Sequence, residues 1–152
     1  MSEVRILIAD DHELMRRGLK GVLEEQPGWE VVGEAANGRE ATDLAKQLQP
    51  DVVVLDISMP ELNGLDATRE ILREAPGCEV LILTLHNSEK LAEEVLKAGA
   101  LGFILKSDAA RDLVAGIEAV RRHSPYFTSR VASMVLDRFL RPSASAHTSR
   151  VM

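Results

Sequence analysis

The chain has 152 residues, of which 45% are hydrophobic and 28% are charged, and its formal net charge is −6. These values are typical of a soluble globular domain, exclude general disorder and argue against a basic nucleic-acid surface. The single cysteine, Cys78, excludes an internal disulfide and a cysteine-based zinc site. Because the N-terminal apolar run is short and no apolar stretch is long enough to span a bilayer, we expect a cytoplasmic protein without a signal peptide or membrane span.

Short runs of β-branched residues alternate along the chain with longer amphipathic stretches. The predicted strands cover residues 4–9, 29–35, 51–56, 79–84 and 101–106. The predicted helices cover residues 13–26, 39–48, 65–74, 89–97 and 109–122. Ser88 is a candidate N-cap of the fourth helix, and Gly99 is a candidate C-terminal stop for it. The third strand is apolar almost throughout, which indicates burial on both faces of a parallel sheet.

The strict alternation of strands and helices predicts an α/β domain with a single parallel sheet. Because crossover connections are right-handed, the pattern favours the flavodoxin-like (βα)5 doubly wound fold, with strand order 2-1-3-4-5. Such sheets bind ligands beyond the carboxyl ends of their strands, where strands 1 and 3 lie side by side. We therefore expect the chemistry of this chain at the ends of those two strands.

Polar side chains follow the predicted strands at that edge. Strand 1 is followed by Asp10 and Asp11, strand 3 ends in Asp56, strand 4 ends in Thr84 and strand 5 ends in Lys106. Taken alone, Asp11 fits equally well as a helix N-cap. Three neighbouring carboxylates stay ionised together only with a cation among them, and oxygen ligands suit a hard ion such as Mg²⁺. A carboxylate held on Mg²⁺ beside an ammonium and a hydroxyl is equipped to attack phosphorus, so the pattern predicts phosphoryl transfer.

Residues 4–123 resemble the receiver domains of two-component response regulators. The shared features are the acidic pair after the first strand, Asp56 followed by Met59, Pro60 and Gly64, then Thr84, and Lys106 preceded by the aromatic Phe103. Each feature is common alone, but their order on the predicted elements is specific. The resemblance implies a phosphoacceptor domain that uses Mg²⁺ and receives its phosphoryl group from a sensor histidine kinase.

The resemblance also implies a role for each side chain that handles the phosphoryl group. Asp56 would accept it from a phosphohistidine, and Lys106 would pair with its oxygens. Thr84 would move to hydrogen-bond the same oxygens, and Phe103 would change rotamer with it. Many receivers have proline after the lysine, but Ser107 stands here, which leaves the isomer of the Lys106–Ser107 bond open.

The metal ligands and the modulating positions follow from the same resemblance. Asp11 and Asp56 would bind Mg²⁺ directly, Asp10 would bind it through water, and Ser58 would bind it through the backbone carbonyl. Ser58 and His86 stand at positions that modulate autodephosphorylation in this family. A solvent-exposed loop histidine without contact to phosphate is the alternative for His86.

Composition divides the chain near residue 124. Residues 1–124 form the predicted receiver domain, and residues 125–152 form a basic segment with an extra C-terminal linker helix at 129–140 and a Ser/Ala-rich flexible tail from Pro142. The Leu-His pair after Thr84, the Lys-Ser pair at Lys106 and the segment from Pro125 resemble the NarL/FixJ subgroup, which carries a LuxR-type helix-turn-helix. We expect DNA binding only through such a domain, which is absent here, so the chain is an excised or a stand-alone receiver.

Self-association is a further expectation. Receivers of that subgroup often pair through the first and fifth helices or their neighbours. We therefore expect a phosphorylation-dependent homodimer that uses residues 113–120 or the apolar face of 131–140. Phosphorylation is also expected to alter the surface formed by the fourth helix, the fifth strand and the fifth helix.

Other functions are weighed against the phosphoacceptor. A Mg²⁺-dependent phosphohydrolase of the haloacid-dehalogenase type needs a second aspartate where Ser58 stands, and a flavin-binding domain needs a phosphate loop where Asp10, Asp11 and His12 stand. A receiver that acts as an interaction module without phosphorylation is compatible with the sequence. We expect no enzyme activity on a separate substrate, only self-phosphorylation from phosphohistidine and autodephosphorylation.

Overall fold

The computed structural model describes residues 3–59, 62–85 and 88–127. The strands are β1 (Val4–Ala9), β2 (Trp29–Ala35), β3 (Val52–Asp56), β4 (Glu79–Thr84), β5 (Gly102–Leu105) and β6 (Tyr126–Phe127). The helices are α1 (Glu13–Glu24), α2 (Gly38–Leu48), α3 (Gly64–Glu74), α4 (Glu89–Ala98) and α5 (Ala109–Arg121). The predicted linker helix at 129–140 and the predicted tail lie outside the described residues.

All strand pairs are parallel, and the strands lie in the order β2-β1-β3-β4-β5-β6. The predicted flavodoxin-like order 2-1-3-4-5 is therefore confirmed, with one short strand added at the β5 edge. This order places β1 beside β3, so the residues that follow Ala9 and the residue that ends β3 share one edge of the sheet.

Two hydrophobic cores lie on opposite faces of the sheet. One contains Val53 and Leu55 together with the buried faces of α2, α3 and α4, and the other contains Val52 and Val54 together with α1 and α5. Every residue of β3 is buried, as its continuous apolar sequence predicts. Burial of each valine or leucine contributes about 1.5–3 kcal/mol, so β3 is a rigid support for the aspartate at its end.

Several boundaries differ by one or two residues from the sequence prediction, and two of them have a clear structural reason. Helix α1 ends at Glu24 rather than at 26, because the chain turns there and the Trp29 N–H donates to the Gln26 carbonyl. Strand β5 ends at Leu105, and Lys106–Asp108 form a single 3-10 turn before α5.

The pairing of β6 with β5 lies within the segment predicted to be a linker. It begins with the Tyr126 N–H, which donates to the Leu101 carbonyl. Two residues are too few to give a periodic signal in the sequence. The domain boundary at 124 stays a prediction.

Helix caps explain why several of the elements begin and end where they do. The Ser88 hydroxyl accepts a hydrogen bond from the Leu91 N–H, and Gly99 ends α4 in the left-handed region with φ of 105°, both as predicted. Asn63 caps α3 by accepting from the Asp66 N–H. No helix in the described ranges has the length and apolar character needed to cross a lipid bilayer.

Candidate functional site

The loop after β1 brings two aspartates to the carboxyl edge of the sheet. The Asp10 N–H continues the ladder with β2 by donating to the Ala35 carbonyl, so the Asp10 side chain is fixed and fully buried. Asp11 is partly exposed. The N-cap position of α1 is occupied by His12, not by Asp11, and no side chain caps this helix. The alternative interpretation of Asp11 as a helix cap is therefore wrong, and its carboxylate belongs to the edge.

Asp56 ends β3 at the same edge. Its register partner on β4 is Leu83, and the next N–H, that of Ile57, donates to the Leu83 carbonyl. The Ser58 N–H donates to Asp56 Oδ1 at 3.2 Å, which fixes one carboxylate oxygen. Burial raises the pKa of the Asp56 carboxyl, the charge of Asp10 adds to that effect, and Ser58 and Lys106 only partly oppose it.

Lys106 joins the two buried aspartates. Its Nζ atom lies 3.0 Å from Asp10 Oδ2 and 3.2 Å from Asp56 Oδ2, and its side chain is only 8% exposed. Burial alone lowers the pKa of Lys106, but the hydrogen bond to Asp10 and the negative charge of Asp56 outweigh it, so the pKa is raised. The ammonium is therefore held in its charged form beside both carboxylates.

We call the part of the sheet edge that carries Asp10, Asp11, His12 and Asp56 the acidic edge. It has more negative charge than Lys106 neutralises. One ligand atom each from Asp10, Asp11, His12 and Asp56 lies within 4.8 Å of all the others. Apart from the Lys106 ammonium, the buried Asp10 Oδ2 and Asp56 Oδ2 have no hydrogen-bond partner in the described part of the chain. Buried carboxylates in such a cluster call for a further cation, and their oxygen atoms suit a hard dication. The residues therefore fit a divalent metal ion.

Gly64 allows α3 to approach the end of β3 closely. Its N–H donates to the Ile57 carbonyl at 3.0 Å. A Cβ atom at this position would lie 2.6 Å from Ile57 Cα and 2.8 Å from the Asp56 carbonyl oxygen. Any larger residue would push α3 away from the Asp56–Ile57 peptide, so this glycine is required for the geometry around Asp56.

Thr84 and Phe103 lie where the sequence places them. Thr84 ends β4, is fully buried and pairs with Leu105, the residue before Lys106. Phe103 is fully buried in the core on the α2–α3–α4 face, opposite Ile82. His86 and Pro60 lie outside the described residues, so nothing tests the modulating role of His86. The Lys106–Ser107 bond is trans.

Two residues of the site were missed by the sequence analysis. Arg16 of α1 donates from Nη1 to the Asp10 backbone carbonyl at 2.7 Å and places Nε 3.3 Å from Glu34 Oε1 on β2. The His12 ring places Nδ1 3.1 Å from Asp10 Oδ1. The position of His12 directly after the acidic pair was the available signal, whereas the reach of Arg16 across one helical turn needs the three-dimensional structure.

Comparison with known proteins identifies relatives over the same region. A family model described as "Response regulator receiver domain" matches residues 6–118. Transcriptional regulatory protein LiaR of Bacillus subtilis (strain 168) is 39% identical over 135 residues, which cover 89% of this chain and 64% of that protein. Transcriptional regulatory protein DegU of Brevibacillus brevis is 35% identical over 140 residues, which cover 92% and 59%. The chain thus spans about three fifths of the length of these relatives.

Solved structures agree with the family match. A LuxR-family two-component response regulator from Aurantimonas sp. SI85-9A1 superposes with a TM-score of 0.85 and 34% identity, covering 91% of this chain and 99% of that one. The response regulator domain of Thermotoga maritima CheB gives a TM-score of 0.74 and 34% identity, covering 80% and 98%. By sequence and by structure, this chain belongs to the response regulator receiver domains of two-component systems.

Proposed function

We propose that Asp56 accepts a phosphoryl group from a phosphohistidine on a sensor histidine kinase in the cytoplasm. The observation that carries the proposal is the position of the Asp56 carboxylate at the end of fully buried β3, 3.2 Å from the Lys106 ammonium. A structural ion pair alone would need one carboxylate for one lysine. Here Lys106 contacts two buried carboxylates, and Asp11 stands beside them.

In the proposed transfer, a carboxylate oxygen of Asp56 attacks phosphorus, and the bond from phosphorus to the donor imidazole breaks as the new bond forms. The Ser58 N–H holds Asp56 Oδ1, which restricts rotation of the carboxylate. Lys106 lies within reach of oxygens on a group attached to Asp56 and donates to them, which stabilises their charge beside a side chain that is only 3% exposed.

Mg²⁺ is the proposed metal, held directly by Asp11 and Asp56, by Asp10 through water, and by the Ser58 carbonyl. When bound, it supplies positive charge that neutralises the phosphoryl oxygens. These residues fit it, because their oxygen atoms are hard ligands and because two of the carboxylates are buried with more negative charge than Lys106 balances. The chain is proposed to act on no separate substrate beyond its own phosphorylation and autodephosphorylation, the latter modulated by Ser58 and His86.

The proposed output is a change at the β4–β5 end of the sheet. A phosphoryl group of about −1.5 to −2 charge attracts donors, so Thr84 moves towards it and the buried Phe103 ring follows. This change favours self-association. The predicted contact through the apolar residues of 113–120 is wrong, because Leu113, Ile117 and Val120 are buried in the core of the domain. Because the relatives LiaR and DegU are described as transcriptional regulatory proteins, the proposed target is a transcription-regulating domain.

Intact-mass measurements with acetyl phosphate and Mg²⁺ test the phosphoacceptor role. Wild type should gain one phosphoryl adduct, and Asp56→Asn should gain none. Asp51→Asn is the matched control, since Asp51 directly precedes β3 at its other end and its carboxylate accepts a hydrogen bond from the Arg5 N–H. An adduct of equal yield on Asp56→Asn would overturn the proposal, whereas Asp51→Asn should behave as wild type.

A further inference from the structure

The His12 ring is turned towards the acidic edge rather than towards solvent. Its Nδ1 atom lies 3.1 Å from Asp10 Oδ1 and 3.2 Å from Asp11 Oδ1, although 66% of the side chain is exposed. The His12 N–H also donates to Asp10 Oδ1 at 2.8 Å, which fixes the backbone that carries the ring. The imidazole is therefore placed at the open mouth of the carboxylate cluster.

The distances around His12 match those between neighbouring ligands of one metal ion. An ion with bonds of about 2.1 Å to nitrogen and oxygen separates adjacent ligands by about 3.0 Å and opposite ligands by about 4.2 Å. The 3.2 Å from Nδ1 to Asp11 Oδ1 is close to the first value, and one ligand atom each from Asp11, His12 and Asp56 lies within 4.8 Å of the others. A movement of about half an ångström brings the widest pair to octahedral spacing.

A second observation points to a ligand at this place. The side chains of Asp10 and Asp56 are 1% and 3% exposed, and their Oδ2 atoms have no hydrogen-bond partner in the described ranges apart from the shared Lys106 ammonium. Two buried carboxylates and Asp11 leave a negative charge that a dication neutralises. The histidine adds a nitrogen atom to this oxygen site, which changes the metals that it prefers.

We propose that His12 Nδ1 joins Asp11 and Asp56 as a ligand, so that the site also takes borderline transition-metal dications such as Ni²⁺, Co²⁺ or Zn²⁺. Imidazole suits these ions, whereas carboxylates and water suit Mg²⁺, and affinity for nitrogen and oxygen sites rises from Mn²⁺ towards Cu²⁺. Binding uses the tautomer with its proton on Nε2, which leaves the lone pair of Nδ1 for the metal ion. These ions therefore compete with Mg²⁺ for the site at Asp56, and the inference rests on the proposed metal site there.

Calorimetric titration of the full chain with NiCl₂ and with MgCl₂ tests the role of His12. Because loss of even an outer-shell partner costs about 10- to 100-fold in metal affinity, His12→Asn should weaken Ni²⁺ binding at least about tenfold. Mg²⁺ affinity should change less than about twofold, since Mg²⁺ prefers oxygen ligands. His12→Gln, which also lacks the imidazole, should give the same pattern and serves as the second variant.

His123→Asn is the matched control. His123 is 68% exposed and places Nδ1 2.6 Å from Glu79 Oε2, so it is a histidine–carboxylate pair of similar exposure outside the acidic edge. This variant should bind both ions as wild type does. Saturating Mg²⁺ should weaken the apparent Ni²⁺ affinity of wild type because both ions compete for one site. The visible spectrum of bound Co²⁺ should change in His12→Asn because a nitrogen ligand is lost.

Three results would overturn the inference. Unchanged Ni²⁺ affinity in His12→Asn would show that the ring is not a ligand. Equal losses for Ni²⁺ and Mg²⁺ would show that His12 only supports the loop. An apparent Ni²⁺ affinity that is unchanged in saturating Mg²⁺ would place Ni²⁺ elsewhere. Failure of the metal site itself has a different signature, namely unchanged Mg²⁺ affinity in Asp11→Asn and Asp56→Asn.

Discussion

At the scale of single residues, Asp56 is placed at a cost to the folded state. Its carboxylate is buried, and its Oδ2 atom shares one ammonium with Asp10. Burial raises its pKa above the value in the unfolded chain, so ionisation favours unfolding. The full penalty is present at pH values above the folded-state pKa, and it disappears as the pH falls below the unfolded-state pKa. Function at this residue thus reduces the stability of the metal-free domain.

Because ionised Asp56 destabilises the folded state, we expect Asp56→Asn to stabilise the metal-free protein. Near pH 7 in a chelating buffer, the thermal midpoint should rise by about 3–5 °C, which corresponds to about 1 kcal/mol in a domain of this size. The difference from wild type should shrink as the pH falls through the acid range. Calorimetric melts of both proteins as a function of pH measure this difference in thermal midpoint. A lower midpoint for Asp56→Asn at neutral pH would contradict the assignment of the raised Asp56 pKa to burial.

Addition of Mg²⁺ should reverse that order. A ligand that binds only the folded state stabilises it by about 2.7 kcal/mol at a hundredfold excess over its dissociation constant. Wild type has the complete ligand set and should gain this amount, whereas Asp56→Asn should gain much less. Asp51→Asn is again the control: it exchanges only the charged acceptor of the Arg5 N–H for an amide oxygen and keeps every proposed metal ligand. It should therefore show no stabilisation relative to wild type in the chelating buffer and should gain as much from Mg²⁺ as wild type does.

At the scale of elements, the approach of α3 to β3 depends on one glycine. We expect Gly64→Ala to destabilise the domain by about 1–3 kcal/mol, since its Cβ would overlap the Ile57 backbone. The displacement of α3 by the added Cβ atom should also slow phosphorylation of Asp56, because it disturbs the Asp56–Ile57 peptide. Gly21→Ala is the matched control, because nothing lies within 4 Å of the added Cβ, and it should stabilise α1 by about 0.5–1 kcal/mol. Equal stabilities of the two variants would contradict the close-approach argument.

The elements also show how far the sequence can predict this structure. The strands that form the edge were predictable because β3 is continuously apolar and because Gly and Pro residues separate the periodic segments. Asp56 and Lys106 could be placed together because parallel strands end at a common edge. The position of His12 beside the acidic pair is visible in the sequence. The contacts of its ring and those of Arg16 could not be predicted, since they depend on side-chain rotamers and on the angle at which α1 leaves β1. Strand β6 was missed because two residues carry no periodicity.

At the scale of the whole molecule, an apolar groove between α1 and α5 is the surface most suited to the expected self-association. It has a volume of about 300 Å³ and is lined by residues that include Leu14 and Leu113, and Leu14 is 83% exposed. Lys106 lies at the same groove, so the surface adjoins the site of the proposed phosphorylation.

We expect the phosphoryl analogue beryllofluoride with Mg²⁺ to increase association of wild type, partially at micromolar protein, since a complete two-state shift needs about 5.5 kcal/mol of differential binding. Leu14→Ser should reduce this association without loss of stability. Leu85→Ser is the matched control, because Leu85 is 71% exposed and does not line this groove. Sedimentation velocity measures both, and association lost in Leu85→Ser but retained in Leu14→Ser would place the contact on the α4–β5–α5 surface instead.

The central claim is that phosphorylation occurs on the carboxylate of Asp56 and not on its acidic neighbours. Borohydride reduces an acyl phosphate to the alcohol, so treatment of the phosphorylated chain converts the modified aspartate to homoserine, which peptide sequencing locates. We predict homoserine at position 56 alone, dependent on both the phosphodonor and Mg²⁺. Homoserine at position 10 or 11, or none anywhere in a chain that has gained a phosphoryl group, would contradict the account.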